Sequence, residues 1–477
     1  MRIEPAELAV MLLARGERSG PMYRRLASGL EELFARGELP SGCVLPSERA
    51  LASMLRVSRT TVVAAYGRLQ ETGRVERRSG SGTRVVDAPG AGRAVVPATR
   101  PARLASRFLD ASVPAVDLAA IQLPALPVVA EIAGEISTAS YTRLMTGEPR
   151  ADSRGLPHLR ARIASLHTRS REPTVDDQIL VTSGAQEALD LVAEGCLRRG
   201  EIVLVEAPAY RGALSAFARA GVRVEPVPSD RDGVLLPELA RLAARWRPRA
   251  LYLQASVRNP TGTSLSRDRH AGLLEIAARH DILVIDDRAL EQTAFEDVRP
   301  LRASRPGDPE IIAIGSLNKL FWAGLRVGWI RAGADAVARL ARLRGETHAS
   351  ASALAQHVAV DLLDVLPQAN AERAEQLRAA HALLDDLLAS HLPDWTCWDV
   401  VGGPSRWVRL PAGAASPFAA SAQQHGVSVL PEAVFTPGGT ADRHVRIPVG
   451  GPSGQLELGV RRLAAAWEEV RVGSRSG

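Results

Sequence analysis

The stretch Ile311–Lys319, IIAIGSLNK, is a buried-strand run that empties into a polar turn, and the residue closing it is the only lysine in a chain of 477 residues. Its first six positions are apolar or small, as in a strand covered on both faces. Comparable runs stand at Gln178–Thr182, Ile202–Glu206, Ala250–Gln254 and Ile282–Asp286, with helical stretches between them. That rhythm predicts an α/β domain built on a mostly parallel central sheet. Ligands of such sheets sit beyond the carboxyl ends of the strands, where the polar clusters of this chain also fall.

Lys319 marks chemistry because a guanidinium stays charged, whereas an ammonium loses its proton when desolvated or set beside another cation. The neutral amine then condenses with a carbonyl to form a Schiff base. The competing explanation is compositional, a lone lysine surviving in an arginine-rich and alanine-rich chain.

Hydrophobic residues make up 46% and charged residues 23% of the chain, values of a globular protein of two or three domains. No apolar run reaches the roughly 18 residues that span a bilayer, and Glu4 and Glu7 interrupt the first apolar stretch, so a cytoplasmic protein without membrane contact is expected. Cys43, Cys196 and Cys397 fit neither a disulfide framework nor a metal cluster, and no metal site is expected. The net charge of +6 is mild, but residues 1–86 contain no aspartate and concentrate Arg49, Arg56, Arg59, Arg68, Arg74, Arg77, Arg78 and Arg84. A basic small domain points to a polyanion partner.

That first segment reads as helices followed by a hairpin. A helix over Met22–Arg36 places Leu26, Leu30 and Phe34 on one face, Pro46 and Ser47 open a second reaching about Leu55, and Ser58 caps a third over Arg59–Glu71. Two short strands between Arg74 and Val86 flank the tip Ser79–Gly82. The layout is that of a winged helix-turn-helix. The predicted boundaries are a DNA-binding domain at 1–86, a Pro/Ala/Gly/Arg-rich linker at 87–116, a larger domain at 117–472 and a tail at 473–477.

Leu45–Arg49 (LPSER), Val57–Val62 (VSRTTV), Ala65-Tyr66 and Gly80–Thr83 (GSGT) resemble the winged-helix domain of GntR-family regulators. The resemblance implies that the amino end of the third helix enters the major groove of operator DNA. There Arg59 faces guanine, and Ser58, Thr60 and Thr61 touch base edges or phosphates. Arg49 and the wing residues Arg77, Arg78 and Gly82 are expected at phosphates or the minor groove, adding affinity more than sequence choice. Leu51, Leu55, Val62, Tyr66 and Leu69 are assigned to packing.

Around the lysine, Gly315–Lys319 (GSLNK) and Gly324–Gly328 (GLRVG) resemble the lysine motif of fold-type I aminotransferases. The resemblance implies an α/β pyridoxal 5′-phosphate-dependent transferase fold with a smaller carboxyl-terminal subdomain. In it Lys319 forms the internal aldimine, while Ser316 and Arg326 hold the phosphate. It further implies that Gly184, Ala185 and Gln186, between a strand and a helix, add phosphate contacts. Tyr210 would stack on the pyridine, Asn259 bond its ring hydroxyl, Asp286 pair with the pyridine nitrogen, and Arg446 take a ligand carboxylate.

The joined halves resemble the MocR/GabR-type regulators over nearly the whole chain, which implies a homodimer in which a cofactor-bound ligand alters transcription; the effector expected is an amine, an amino acid or pyridoxal phosphate itself. An aminotransferase that regulates itself, and a repressor with a degenerate fold, are the alternatives. Three departures from the family pattern stand out. Arg288 occupies the position of a usual tyrosine, Arg150 that of another, and Asn318 replaces a commoner Ser or Thr. An arginine facing the phenolate would compensate electrostatically, depress the aldimine pKa or mark a site altered for another ligand.

Overall fold

The computed structural model describes residues 3, 5, 8, 11, 12, 22–35, 39, 42–55, 57–78, 82–86, 116–136, 142, 153–303, 306–347, 351–439 and 441–475. The chain divides into two compact units, the described residues of the first reaching Val86 and those of the second starting at Val116.

In the first unit, helices α1 (Met22–Ala35), α2 (Glu48–Leu55) and α3 (Arg59–Glu71) precede an antiparallel hairpin of β1 (Val75–Arg78) and β2 (Gly82–Val85). Local chemistry sets the helix starts: Ser47 Oγ accepts from the N–H of Ala50 at 3.3 Å, and Ser58 Oγ from that of Thr61 at 3.1 Å. Leu26, Leu30 and Phe34 meet Leu51, Val62, Tyr66, Leu69, Val75 and Val85 in one core. Truncating one of these large side chains costs about 2–5 kcal/mol. The Tyr66 hydroxyl donates to the carbonyl of Pro46 at 3.1 Å, and the chain before α2 joins the hairpin through Leu45 N–H to Thr83 O at 2.8 Å. This is the winged helix-turn-helix expected; the hairpin tip 79–81 lies outside the described residues.

The second unit opens with β3 (Val116–Leu118), so Val116 belongs to a strand and not to the end of a linker, whose residues 87–115 lie outside the described residues. Its main sheet has eight strands. Their spatial order is β4 (Ile179–Thr182), β11 (Gly328–Arg331), β10 (Ile311–Ser316), β9 (Leu283–Asp287), β8 (Ala250–Leu253), β5 (Ile202–Ala207), β6 (Arg223–Asp230), β7 (Gly233–Val234). Pairs β10/β9, β9/β8, β8/β5 and β5/β6 are parallel, while β11 runs antiparallel to β10 and β4.

Strand alternation assigns the two faces. Leu283, Ile285, Ile312 and Ile314 pack with residues of α4 (Ala185–Cys196) and α5 (Arg211–Ala220), whereas Val284, Leu204, Leu251 and Ile311 belong to a core cluster on the opposite face. A smaller five-stranded sheet, ordered β12 (Thr396–Cys397), β13 (Ser405–Arg409), β15 (His444–Pro448), β14 (Val427–Pro431) and β3, forms the carboxyl-terminal part. Helix α6 (Leu366–His391) packs on α7 (Ser453–Arg475), which continues past residue 472, where the sequence suggests a tail. Among the described residues no helix is long and apolar enough to cross a membrane.

Candidate cofactor pocket and DNA-reading face

At the carboxyl edge of the main sheet lies a cavity of about 330 Å³ lined by Gly184, Ala185, Gln186, Tyr210, Asn259, Ser316, Lys319, Arg326 and Arg446. Nine of the sequence-derived site residues therefore converge. Lys319 leaves the turn after β10, and its Nζ donates to the carbonyl of Ile121 at 3.4 Å. Burial, and behind it the charge of Arg446, pulls its pKa down to about 8.

Between β4 and α4 the chain turns through Gly184 at φ 100°, and a Cβ there would stand 2.6 Å from Asn318 Nδ2. Only glycine leaves both the conformation and the space. Asn318 has a local task that a serine could not fill in the same way. Its Oδ1 accepts from Val327 N–H at 3.0 Å and its own N–H donates to Ser316 Oγ at 3.2 Å, tying the lysine turn to the segment carrying Arg326. Arg326 is in the left-handed region at φ 55°.

Tyr210, at the start of α5, donates to Gln186 Oε1 at 3.2 Å, and Gln186 Nε2 donates to Gly212 O at 3.2 Å. A Cβ at Gly212 would come within 2.4 Å of the Tyr210 ring, so the glycine sets how closely the ring lies. Asn259 sits on a loop anchored by the buried Arg258–Glu206 ion pair at 2.8 Å, with its N–H donating to Gln254 Oε1 at 2.8 Å. Its buried Oδ1 has no hydrogen-bond partner among the described residues.

Asp286 is a correction: it does not line the cavity. Its carboxylate accepts from Arg288 Nε at 2.8 Å, Leu301 N–H at 3.1 Å and Ala255 N–H at 3.2 Å on the other side of the strand. The pocket receives Asp287 instead, in step with Leu283 and Ile285 on the face of α4 and α5. Its Oδ2 accepts from the Tyr252 hydroxyl at 2.8 Å and its Oδ1 from Ala289 N–H at 3.0 Å, and burial raises its pKa to about 6. The alternation along β9 was the available signal.

Arg288 likewise points away from the pocket. It binds Glu172 at 2.8 Å, and Glu172 also meets His167 at 2.7 Å and Arg331 at 3.1 Å. Burial would raise the Glu172 pKa, but the His167 hydrogen bond and the arginine charges hold it well below the carboxylate range. Arg288 therefore faces no ring oxygen, and its presence is not evidence of a decayed site; Leu290, not Arg288, lines the cavity. Arg150 lies outside the described residues.

Arg446 reaches the pocket from β15, donating to the carbonyl of Ala119 and lying over the Phe435 ring at 5.1 Å. Its Nε is buried without a partner among the described residues, and burial lowers its pKa to about 9. Sequence reasoning missed Asp287, Tyr252, Arg211, Glu206 and Ala119–Ile121.

In the first unit, Arg49, Ser58, Arg59 and Thr60 are exposed and Thr61 is half-buried. The Ser58 hydroxyl is engaged with Thr60 Oγ1 and Thr61 Oγ1, each at 2.7 Å, so it shapes the amino end of α3 while Arg59 projects from it. Arg77 and Arg78 stand on β1 with side chains outside the described set, and Gly82 opens β2 opposite Arg78.

Residues 22–85 match the gntR family of bacterial regulatory proteins and residues 148–463 the aminotransferase class I and II family. The HTH-type transcriptional regulator YdfD of Bacillus subtilis is 28% identical over 82% of this chain and 84% of its own. The probable rhizopine catabolism regulatory protein MocR of Rhizobium meliloti is 31% identical over 67% of each. The crystal structure of LysN, an α-aminoadipate aminotransferase from Thermus thermophilus complexed with N-(5′-phosphopyridoxyl)-L-leucine, matches with a TM-score of 0.67 and 28% identity over 75% of this chain and 93% of that one. The chain belongs to the aminotransferase class I and II family, joined to a GntR-type DNA-binding domain as in the MocR-type regulators, and its cofactor is pyridoxal 5′-phosphate.

Proposed function

We propose that this regulator senses an amine or amino acid at Lys319 and passes the occupancy of the pocket to operator DNA as a homodimer. The observation that carries the reading is the convergence, in one cavity, of a half-buried lysine of lowered pKa with a phosphate cradle, an aromatic ring and a buried carboxylate.

The residues fit the cofactor. Gly184, Ala185 and Gln186 at the start of α4, with Ser316 and Arg326, would hold the phosphate; Gly184, at φ 100° and with no space for a Cβ beside Asn318, lets the chain turn into the helix start whose free N–H groups suit an anion. Tyr210 would lie against the ring, the amide of Asn259, whose Oδ1 has no partner among the described residues, would bond the ring hydroxyl, and Asp287 would take the role expected of Asp286 at the pyridine nitrogen. When bound, the cofactor supplies a carbonyl that condenses reversibly with amines and an electron-poor ring that absorbs near the visible. Lys319 would hold that carbonyl, its amine being the group an incoming ligand amine replaces, and Arg446 would orient the ligand's carboxylate. Arg59, Thr60 and Thr61 read bases while Arg49, Arg77 and Arg78 hold phosphates. Ligand exchange biases two dimer arrangements of unequal operator fit.

The test is the absorption spectrum of the chain with added pyridoxal phosphate, before and after borohydride, with Lys319→Ala as control, followed by operator binding with and without amines. A lysine-dependent band that borohydride fixes, and an amine that changes DNA affinity, support the reading. A band that persists in Lys319→Ala, or DNA affinity indifferent to every amine that alters the band, refutes it.

A further inference from the structure

Five charged side chains line the pocket: Arg211, Lys319, Arg326, Arg446 and Asp287. Three of them have a counterpart once the cofactor is in place. Its phosphate answers Arg326, its ring nitrogen answers Asp287, and Lys319 is the amine that exchanges. Arg446 and Arg211 are left over. Arg446 is buried with an Nε that has no partner, and Arg211 has no hydrogen bond or ion pair among the described residues. Two guanidiniums facing one cavity repel: the charge of Arg211, after burial, lowers the pKa of Arg446. Such a pair is destabilising until anions arrive, and one carboxylate answers only half of it.

We infer that the effector is an α-amino dicarboxylic acid, its α-carboxylate on Arg446 and its side-chain carboxylate on Arg211. Arg211 opens α5 directly after Tyr210, so the ring that lies against the cofactor and the guanidinium that reads the ligand's far end are fixed by the same helix start. Gly212 adds to this placement, because any side chain there would push the Tyr210 ring and move Arg211 with it. Monocarboxylic amino acids leave Arg211 unanswered, and amides of the same shape offer it a carbonyl without charge.

This inference rests on the reading of the pocket as an amine sensor, and the experiment separates the two. The full-length chain loaded with pyridoxal phosphate is titrated with L-glutamate against L-glutamine, L-aspartate against L-asparagine, and L-2-aminoadipate against L-norvaline, following the cofactor band and operator binding. At least one diacid is expected to bind about tenfold or more tightly than its uncharged counterpart, the worth of one charge-assisted hydrogen bond. Arg211→Gln is expected to remove that difference, read as the ratio of diacid to counterpart affinity within each variant. Equal binding of diacids and their counterparts, or a preference that survives in Arg211→Gln, overturns the dicarboxylate assignment while the sensor reading stands. Absence of a lysine-dependent band in the loaded chain overturns both.

Discussion

Asp286 and Asp287 are neighbours of identical chemistry on opposite faces of β9, and neutralising each in turn separates what the two faces do. In Asp287→Asn the pyridine nitrogen loses its ionic partner while the amide keeps the side chain's shape. A charge-assisted hydrogen bond contributes about 1.5–3 kcal/mol, and 1.4 kcal/mol is tenfold, so the affinity for pyridoxal phosphate falls by roughly 10- to 150-fold. The fold is spared, because burial already lifts the Asp287 pKa to about 6 and a neutral side chain relieves that cost. Asp286→Asn instead takes one of two carboxylates from the buried Arg288 guanidinium, the one accepting from its Nε at 2.8 Å, while Glu172 keeps the other side. Losing one such charge-assisted hydrogen bond costs about 1.5–3 kcal/mol of stability, or melting lowered by about 3–6 °C. Cofactor affinity of the folded Asp286→Asn chain is expected within about fivefold of the parent, the residue being no part of the pocket wall. Absorbance titration with pyridoxal phosphate and thermal melting of the cofactor-free chain read the two effects independently. Loss of cofactor affinity in Asp286→Asn together with its retention in Asp287→Asn would refute the face assignment and everything drawn from it.

Cofactor uptake should accelerate with pH. Lys319 is protonated below its pKa of about 8 and the ammonium cannot add to a carbonyl, so the rate rises about tenfold per pH unit from 6 to 7.5 and levels above 8. Stopped-flow absorbance that keeps rising to pH 10 would contradict the lowered pKa. Tyr252→Phe removes one donor to Asp287 yet keeps the ring that packs edge-on against Phe217 at 5.6 Å, so cofactor affinity should fall about tenfold with little change in melting. An unchanged spectrum and affinity would leave the Tyr252 hydroxyl without a role in the site. Arg59→Ala should weaken operator binding by about 1–3 kcal/mol and flatten preference at one base position, as read by competition between operator and scrambled duplexes. A uniform loss across sequences would reassign Arg59 to the phosphate backbone.

The helix starts were legible because their causes are local: Ser58 caps α3 with its own hydroxyl, and the run from Arg59 to Glu71 forms the helix expected. The turn at Gly184 was legible for the same reason, a strand, a glycine and a helix in succession. Asp286 was mistaken for the pocket acid because two adjacent carboxylates look alike until strand parity is tied to a helix face, and that requires knowing which helices cover which side. Arg288 was out of reach in another way. Its partner Glu172 is 116 residues distant, and no short-range pattern announces an ion pair of that separation. The Ala119–Ile121 wall of the pocket, which meets Lys319 and Arg446 across 198 and 327 residues, belongs to the same class.

The uniqueness of Lys319 makes the chain its own analytical standard. Amine-selective reagents have one side-chain target besides the chain's α-amine, and borohydride fixation adds a single defined mass. Intact-mass spectrometry therefore counts the fraction of chains carrying a fixed cofactor without digestion or mapping. In a dimer, the proportions of zero, one and two fixed groups would distinguish independent from coupled occupancy of the two pockets, a measurement most lysine-rich proteins obscure.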